Sequence, residues 1–254
     1  MSRSDPIRER YFEAVALAET VNDWLFYAGA LLSIAAVFVD KPTFPNAYDG
    51  VLLVFAVVVA AYFAVGMSLR LYLIPRADDA RRHDFFTSAC GIDLTHIKTD
   101  GYYNNDFTDP IRRMAAQLLE NSLFSKTISL RMAKVERCKI AMYIFAWLVC
   151  LLYRRADLGY VVAASQAVFS EEVLSKWLRL EWLRTKFEKT FDDVYKLLQS
   201  EPSKPKFSAM TLDALSMYET AKSNAAITLS SNTFEELNPS LSLEWEGIKK
   251  SLKI

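Results

Sequence analysis

The sequence is poor in the residues from which most catalytic and metal centres are built. It has two histidines, His83 and His96, with no partner at a recognised ligand spacing, so a histidine-rich metal site is not expected. Cys90, Cys138 and Cys150 form no CxxC pair, and an odd count suits free thiols on an intracellular face. Only seven glycines are present, and no Walker A loop, GxGxxG turn or nucleophile elbow can be assembled from them. Cys90 with His96 is a conceivable nucleophile and base, but nothing in the pattern supplies the orienting third group. Thirty basic residues balance thirty acidic ones, so no overall charge steers the chain toward nucleic acid. No catalytic residue, metal or cofactor is predicted, and the chain is not expected to be an enzyme.

What the sequence does have is apolar length. Hydrophobic residues make up 52% of its 254 positions, which rules out a disordered chain. Trp24 to Val39 carries no charge, and Val51 to Leu69 is a run of nineteen uncharged residues. As helices, such runs reach roughly 24–28 Å, close to one hydrocarbon core. Between them, Asp40 to Gly50 is short and turn-rich, with Pro42, Pro45 and Asn46, which makes the pair a hairpin. Ala56, Ala60, Ala64 and Ser68 recur every four residues, and Gly29 and Ser33 repeat that step on the first span. Small residues at this period let helices approach closely in lipid, so these six are candidate helix-packing positions. Asp23 is the only acid in the spans and sits at an edge, unlike the deep ionisable residues of transporters.

A second apolar pair is shorter: Ile140–Tyr153 and Leu158–Ser170, separated by Arg154, Arg155, Ala156 and Asp157. These lengths fit a buried or re-entrant hairpin as well as two full spans. Arg3, Arg8 and Arg10 precede the first span and Arg70, Arg76, Arg81 and Arg82 follow the second, while the connecting turn has only Lys41. The positive-inside bias then puts both termini in the cytoplasm.

The remaining segments read as helical and cytoplasmic. Asp5-Pro6 is a helix start, and that helix is expected to run unbroken into the first span. Asp109-Pro110 starts another, with Ile111, Met114, Leu118, Ile128, Met132 and Val135 on one side, interrupted at Glu120-Asn121-Ser122. Val173, Trp177, Leu180, Leu183, Phe187, Phe191, Val194 and Leu198 define a long amphipathic helix that ends at Glu201-Pro202. A further helix is expected from about Ser208 to Leu229, and a last one capped by Asn238-Pro239 with Leu241, Trp245, Ile248 and Leu252 on a stripe. Basic residues from Arg112 and Arg113 to Lys139 flank the third apolar segment. They read as positive-inside flanking, or as contacts to an anionic ligand or nucleic acid.

The expected fold is an all-α membrane protein with two to four transmembrane helices and a helical cytoplasmic domain. Its divisions are an N-terminal helix (1–20), a transmembrane hairpin (21–74), a cytoplasmic linker domain (75–139), the second short hairpin (140–170) and a helical tail (171–254).

Gly101-Tyr102-Tyr103-Asn104-Asn105, followed by Leu119-Glu120-Asn121-Ser122-Leu123-Phe124-Ser125, lies between two apolar hairpins and ahead of a helical tail ending near Trp245. This arrangement resembles the small multi-span membrane effectors of bacterial anti-phage defence operons, which accompany retron reverse transcriptases or cyclic-oligonucleotide synthases. The resemblance implies an inner-membrane protein held quiet by an operon-encoded regulator, either a reverse transcriptase with its DNA or RNA or a nucleotide second-messenger synthase. On infection it would oligomerise, disrupt the bilayer and stop the host cell. Tyr102, Tyr103, Asn104, Asn105, Glu120, Asn121, Arg112 and Arg113 are then candidates for polar contacts within the domain or with the partner. The chain lacks a recognisable second-messenger domain, which favours gating by a protein or nucleic acid. The competing expectation is a membrane-anchored scaffold that recruits a cytoplasmic partner without forming a pore.

Overall fold

A computed structural model describes residues 5–97, 99, 102–103, 105–152, 165 and 171–254. Among them all regular structure is helical and no strand occurs. The helices are α1 (Glu13–Phe38), α2 (Pro45–Ser68), α3 (Ile74–Cys90), α4 (Pro110–Leu152), α5 (Lys176–Ser200), α6 (Lys204–Ala225) and α7 (Ser231–Leu252). Wide π-type turns occupy Arg8–Phe12, Leu69–Leu73 and Glu171–Ser175. The chain divides into two units: Met1–Pro6, Asp79–Met142 and Glu171–Ile254 form one, and Ile7–Asp78 with Tyr143–Ser170 form the other.

The first unit is a helical domain built around the front half of α4. Met114 to Glu120 are seven successive buried residues, so this stretch is covered on every side rather than along one stripe. Ala115 and Ala116 are fully buried and let neighbouring helices come close. The same core takes Phe85 and Ala89 from α3, Leu183 and Phe187 from α5, Phe207 and Tyr218 from α6, and Leu241 and Trp245 from α7. Local chemistry sets the helix ends. Asp109 Oδ1 accepts from the Ile111 and Arg112 amides at 3.0 and 3.1 Å, capping α4 as Asp109-Pro110 predicts. With few glycines available, three helices end on non-glycine residues in the left-handed region: Glu201, Ala226 and Lys253, with φ of 40°, 47° and 55°.

Two helices of this unit have boundaries that differ from the sequence reading. The last helix begins at Ser231, capped by Ser230 Oγ accepting from the Thr233 amide at 3.3 Å, and Pro239 lies inside it. The serine cap satisfies the first free amides, and the helix tolerates the single hydrogen bond that the proline cannot donate. The helix before it starts at Lys204 and ends at Ala225, because Pro205 suits a first turn and Ala226 turns left-handed.

The second unit holds an apolar antiparallel hairpin of α1 and α2. The start at Asp5-Pro6 holds, with continuous helix from Pro6 through Phe38. Pro45 starts α2 inside the predicted connecting turn, and helix continues unbroken from Pro45 to Cys90. The wide turn at Leu69–Leu73 has a cause in the sequence: Pro75 follows it, cannot donate to Leu71, and would clash with that carbonyl in a regular turn. Facing pairs keep one antiparallel register: Phe26 meets Tyr62 at 6.2 Å, Gly29 meets Val58, and Asn22 meets Gly66. Buried apolar side chains are few, with Val15, Leu69 and Ala77 packed among Tyr11, Phe12, Leu73 and Ile74. Arg76 lies between the Tyr11 and Tyr72 rings, 5.5 and 5.6 Å from their centres, and donates to the Tyr72 hydroxyl at 2.7 Å. From Met142 onward α4 is mostly exposed and apolar. Trp147 Nε1 donates to Ser165 Oγ at 2.8 Å, while the predicted turn at Arg154–Asp157 lies outside the described residues.

An ion-pair network ties α4 to α5. Glu181 accepts from both Arg137 and Arg184, and Trp177 Nε1 donates to it at 3.3 Å. Hydrogen bonds from Arg137 hold the Glu181 carboxylate below its usual range, against the opposing effect of burial. A carboxylate whose folded pKa is depressed stabilises the fold above its unfolded value, near 4.3, and loses that contribution as pH falls through the folded value. Glu181→Gln is therefore expected to lower Tm at pH 7, with the gap from the wild type closing as the pH falls below about 4. Ala226→Gly is expected to raise stability by about 1 kcal/mol in thermal unfolding, since glycine removes the left-handed penalty at φ 47°.

Candidate functional site

Three of the residues singled out around positions 102 and 120, Tyr102, Tyr103 and Asn121, meet on a seam between α3 and α4. On α3, Arg81, Asp84 and Ser88 follow at steps of three and four, so they share a face. On α4, Arg113, Gln117, Asn121 and Ser125 repeat every four residues. Gln117 Nε2 donates to Ser88 Oγ at 2.8 Å. Thr99, Tyr102 and Tyr103, from the chain between the two helices, pack onto the seam. Asp84, 2% exposed, accepts from the Thr99 amide at 3.0 Å and from its hydroxyl at 2.7 Å. Tyr103 packs edge-on against Phe85 at 5.8 Å and against Tyr102 at 4.9 Å.

Arg81 gathers three segments. Its guanidinium pairs with Asp5 at 2.7 Å and lies 4.6 Å from the centre of the Tyr102 ring. Burial works against its charge, but Tyr102 and Asp5 outweigh that and hold the guanidinium above its ordinary pKa. Burial pushes the Tyr103 phenol well up, Tyr102 adds to this, and Arg81 and the Asn121 side chain pull the other way. The Tyr103 hydroxyl is buried and, among the described residues, makes no hydrogen bond of good geometry. The same holds for Gln117 Oε1, Asn105 Oδ1 and Arg113 Nε. One turn further along α4, Ser125 Oγ and the Tyr218 hydroxyl are 2.8 Å apart, and burial pushes Tyr218 up to about 12.

The predicted candidates thus separate. Tyr102, Tyr103 and Asn121 come together, and Glu120 is buried beside them in sequence at 5% exposed. Asn105 is half-buried, and Asn104 lies outside the described residues. Arg112 turns away from Arg113: it pairs with Glu201 at 3.2 Å and faces the Phe107 and Phe207 rings. In the hairpin, Gly29 is buried against α2, 3.8 Å from Val58 for an added Cβ, and Ser33 is half-buried. Ala56, Ala60, Ala64 and Ser68 lie on the exposed side of α2, away from α1, and the Ser68 hydroxyl donates to the Ala64 carbonyl at 2.8 Å. The sequence reading missed Arg81, Asp84, Ser88 and Gln117 as one set. The signal was there: their spacing puts two polar stripes on two helices flanking one loop.

No cluster of histidine, cysteine or acidic residues able to hold a metal occurs among the described residues. The site's chemistry is that of a hydrogen-bonded, aromatic-lined clamp. Compared with known proteins, the chain matches no family model, no curated protein and no solved structure.

Two tyrosines in this region should respond oppositely to loss of the hydroxyl. Tyr103→Phe removes a buried group without a good hydrogen bond and is expected to leave stability unchanged or raise it by about 1 kcal/mol. Tyr218→Phe leaves Ser125 without its partner and is expected to cost about 1 kcal/mol. Denaturant midpoints of both variants check the pair.

Proposed function

We propose that this protein is an inner-membrane effector of an anti-phage defence system. Its apolar hairpin would sit in the bilayer and its helical domain on the cytoplasmic side. The observation that carries the membrane part is the bare apolar surface of α2. The most apolar stretch of the Pro45–Cys90 helix is long enough to cross a membrane, and none of it is buried. Leu53, Val57 and Phe63 are 69%, 61% and 65% exposed, whereas Leu118, Leu123, Leu183 and Phe187 in the helical domain are fully buried. Apolar surface on this scale needs lipid or a partner to cover it.

The effector part is supported by the resemblance of the Gly101–Asn105 and Leu119–Ser125 segments to such proteins. In this reading activation disrupts membrane integrity and arrests the infected cell. The protein acts as a homo-oligomer restrained by an operon-encoded regulator, with both termini cytoplasmic. The helices α2–α3 and α4 connect the two parts. Each is continuous in the chain from clamp residues into apolar sequence. Exposed Ile92, Leu94, Leu212 and Leu243 on the helical domain favour a second reading, an anchored scaffold whose work is to bind a cytoplasmic protein.

Inducible expression in a bacterial host separates the two. Membrane potential and propidium entry are followed with and without the neighbouring genes and under phage challenge. An effector depolarises the cell, and its regulator suppresses this. Intact potential under every condition, with the protein inserted, sinks the effector reading and leaves the scaffold.

A further inference from the structure

We propose that Arg81, gripping Asp5 and Tyr102, is a latch that keeps the N-terminal segment docked on α3 and keeps the membrane action silent until the grip opens. The proposal rests on the effector reading for its consequence, and on geometry for the latch itself.

Three observations support the latch. The grip joins segments that are remote in the chain: Asp5 lies 76 residues from Arg81, and Tyr102 follows α3 in the chain and packs onto the polar seam. Both charged side chains are shielded, at 17% and 21% exposed, so the pair is stronger than an ordinary surface contact. Its two ends also border the points where the chain passes between its two units, Pro6–Ile7 and Asp78–Asp79. Asp5 stands directly before the helix that continues into α1, and Arg81 stands on the helix that continues from α2. Each of those continuous helices contains a wide π-type turn close by, at Arg8–Phe12 and Leu69–Leu73. Such turns replace the regular i→i−4 hydrogen bonds with wider ones and are frequent at functional sites. Tyr102 supplies the input. A partner that drew Tyr102 off Arg81 would weaken the hold on Asp5 without entering the membrane. That is the differential contact a two-state element needs.

The test uses the full-length protein in lipid nanodiscs and in cells. Asp5→Asn, Arg81→Gln and the exchanged pair Asp5→Arg with Arg81→Asp are compared with Tyr102→Phe and Tyr102→Leu. Amide exchange over residues 6–12 reads release of the segment, exchange over Leu118–Leu123 reports whether the domain is still folded, and propidium entry reads membrane action. The single charge variants and Tyr102→Leu are expected to speed exchange over residues 6–12 by about tenfold and to raise dye entry. The exchanged pair, which keeps the ion pair but places a carboxylate at the Tyr102 ring, should restore both only in part, whereas Tyr102→Phe, which keeps the ring, should behave like the wild type. Unchanged exchange over residues 6–12 in the single variants overturns the latch, whatever the dye shows. Faster exchange with no change in dye entry, in a protein that otherwise admits dye when triggered, overturns its regulatory role. If no variant and no trigger ever admits dye while the exchange still responds, the effector reading is what fails. Should Arg81→Gln loosen Leu118–Leu123, the milder Asp5→Asn decides.

Discussion

Everything in the helical domain is arranged around a stretch of α4 that must be covered on all sides. Met114 to Glu120 leave no face for solvent, so at least three other helices have to be brought to them from distant parts of the chain. That requirement explains why α3, α5, α6 and α7 supply Phe85, Phe187, Tyr218 and Trp245 to one core although the segments between them differ widely in length. It also explains the alanine pair at 115 and 116, since bulky residues on every side of a central helix would hold its neighbours too far apart to interlock. The same helix continues to Leu152 without a break and changes character on the way: buried and mixed at its start, apolar and bare at its end.

A helix buried all round would be simplest if it were wholly apolar. This one carries Gln117, Glu120, Ser122, Ser125 and Ser129 in its buried part. The three serines are satisfied locally or nearby: Ser122 and Ser129 donate to carbonyls three residues back, and Ser125 pairs with Tyr218. Among the described residues, Gln117 donates to Ser88 and its Oε1 has no partner, and Tyr103 is set beside Asn121 without a good hydrogen bond. Burying polar groups in this way costs stability relative to an apolar seam, while it specifies which residues must face each other. Such a seam sets α3, α4 and the intervening loop in one arrangement, with Arg81 at its end joining Tyr102 to the N-terminal segment. The polar contacts therefore matter more for which conformation is adopted than for how stable it is.

Much of this was legible in the sequence. Asp5-Pro6 and Asp109-Pro110 marked true helix starts because a first-turn proline and, at Asp109, a carboxylate cap act locally. The stripe Leu180, Leu183, Phe187, Val194 and Leu198 was legible because its burial follows helical period. Asn238-Pro239 misled because proline was read as a start signal, while the stronger cap at Ser230 lay eight residues upstream. The site was half legible. Tyr102, Tyr103, Glu120 and Asn121 stood out as polar or aromatic residues in unusual places, but Arg81, which holds Tyr102, and Asp84, which holds Thr99, looked like ordinary basic flank and ordinary acid. Only tertiary pairing distinguishes a charge that faces solvent from one that grips Asp5. The Ala56–Ser68 stripe shows the converse: a small-residue period is visible in sequence, yet which of the helix's faces meets α1 is decided by the register.

That register cannot come from hydrophobicity alone. The hairpin's surfaces are apolar on nearly every side, so sliding one helix past the other by a turn exchanges one apolar contact for another at little cost. The polar and shape-specific contacts do penalise a slide. Asn22 is buried against Gly66, where an added Cβ would stand 3.5 Å from its Oδ1; four residues either way it would face Tyr62 or Arg70 instead of a glycine. At the hairpin's polar end, Arg76 must find both Tyr11 and Tyr72, and a one-turn slip would separate it from Tyr11. A few polar residues placed at one end thus select a single alignment for two long apolar helices, and the apolar surface left over is free to meet whatever surrounds it.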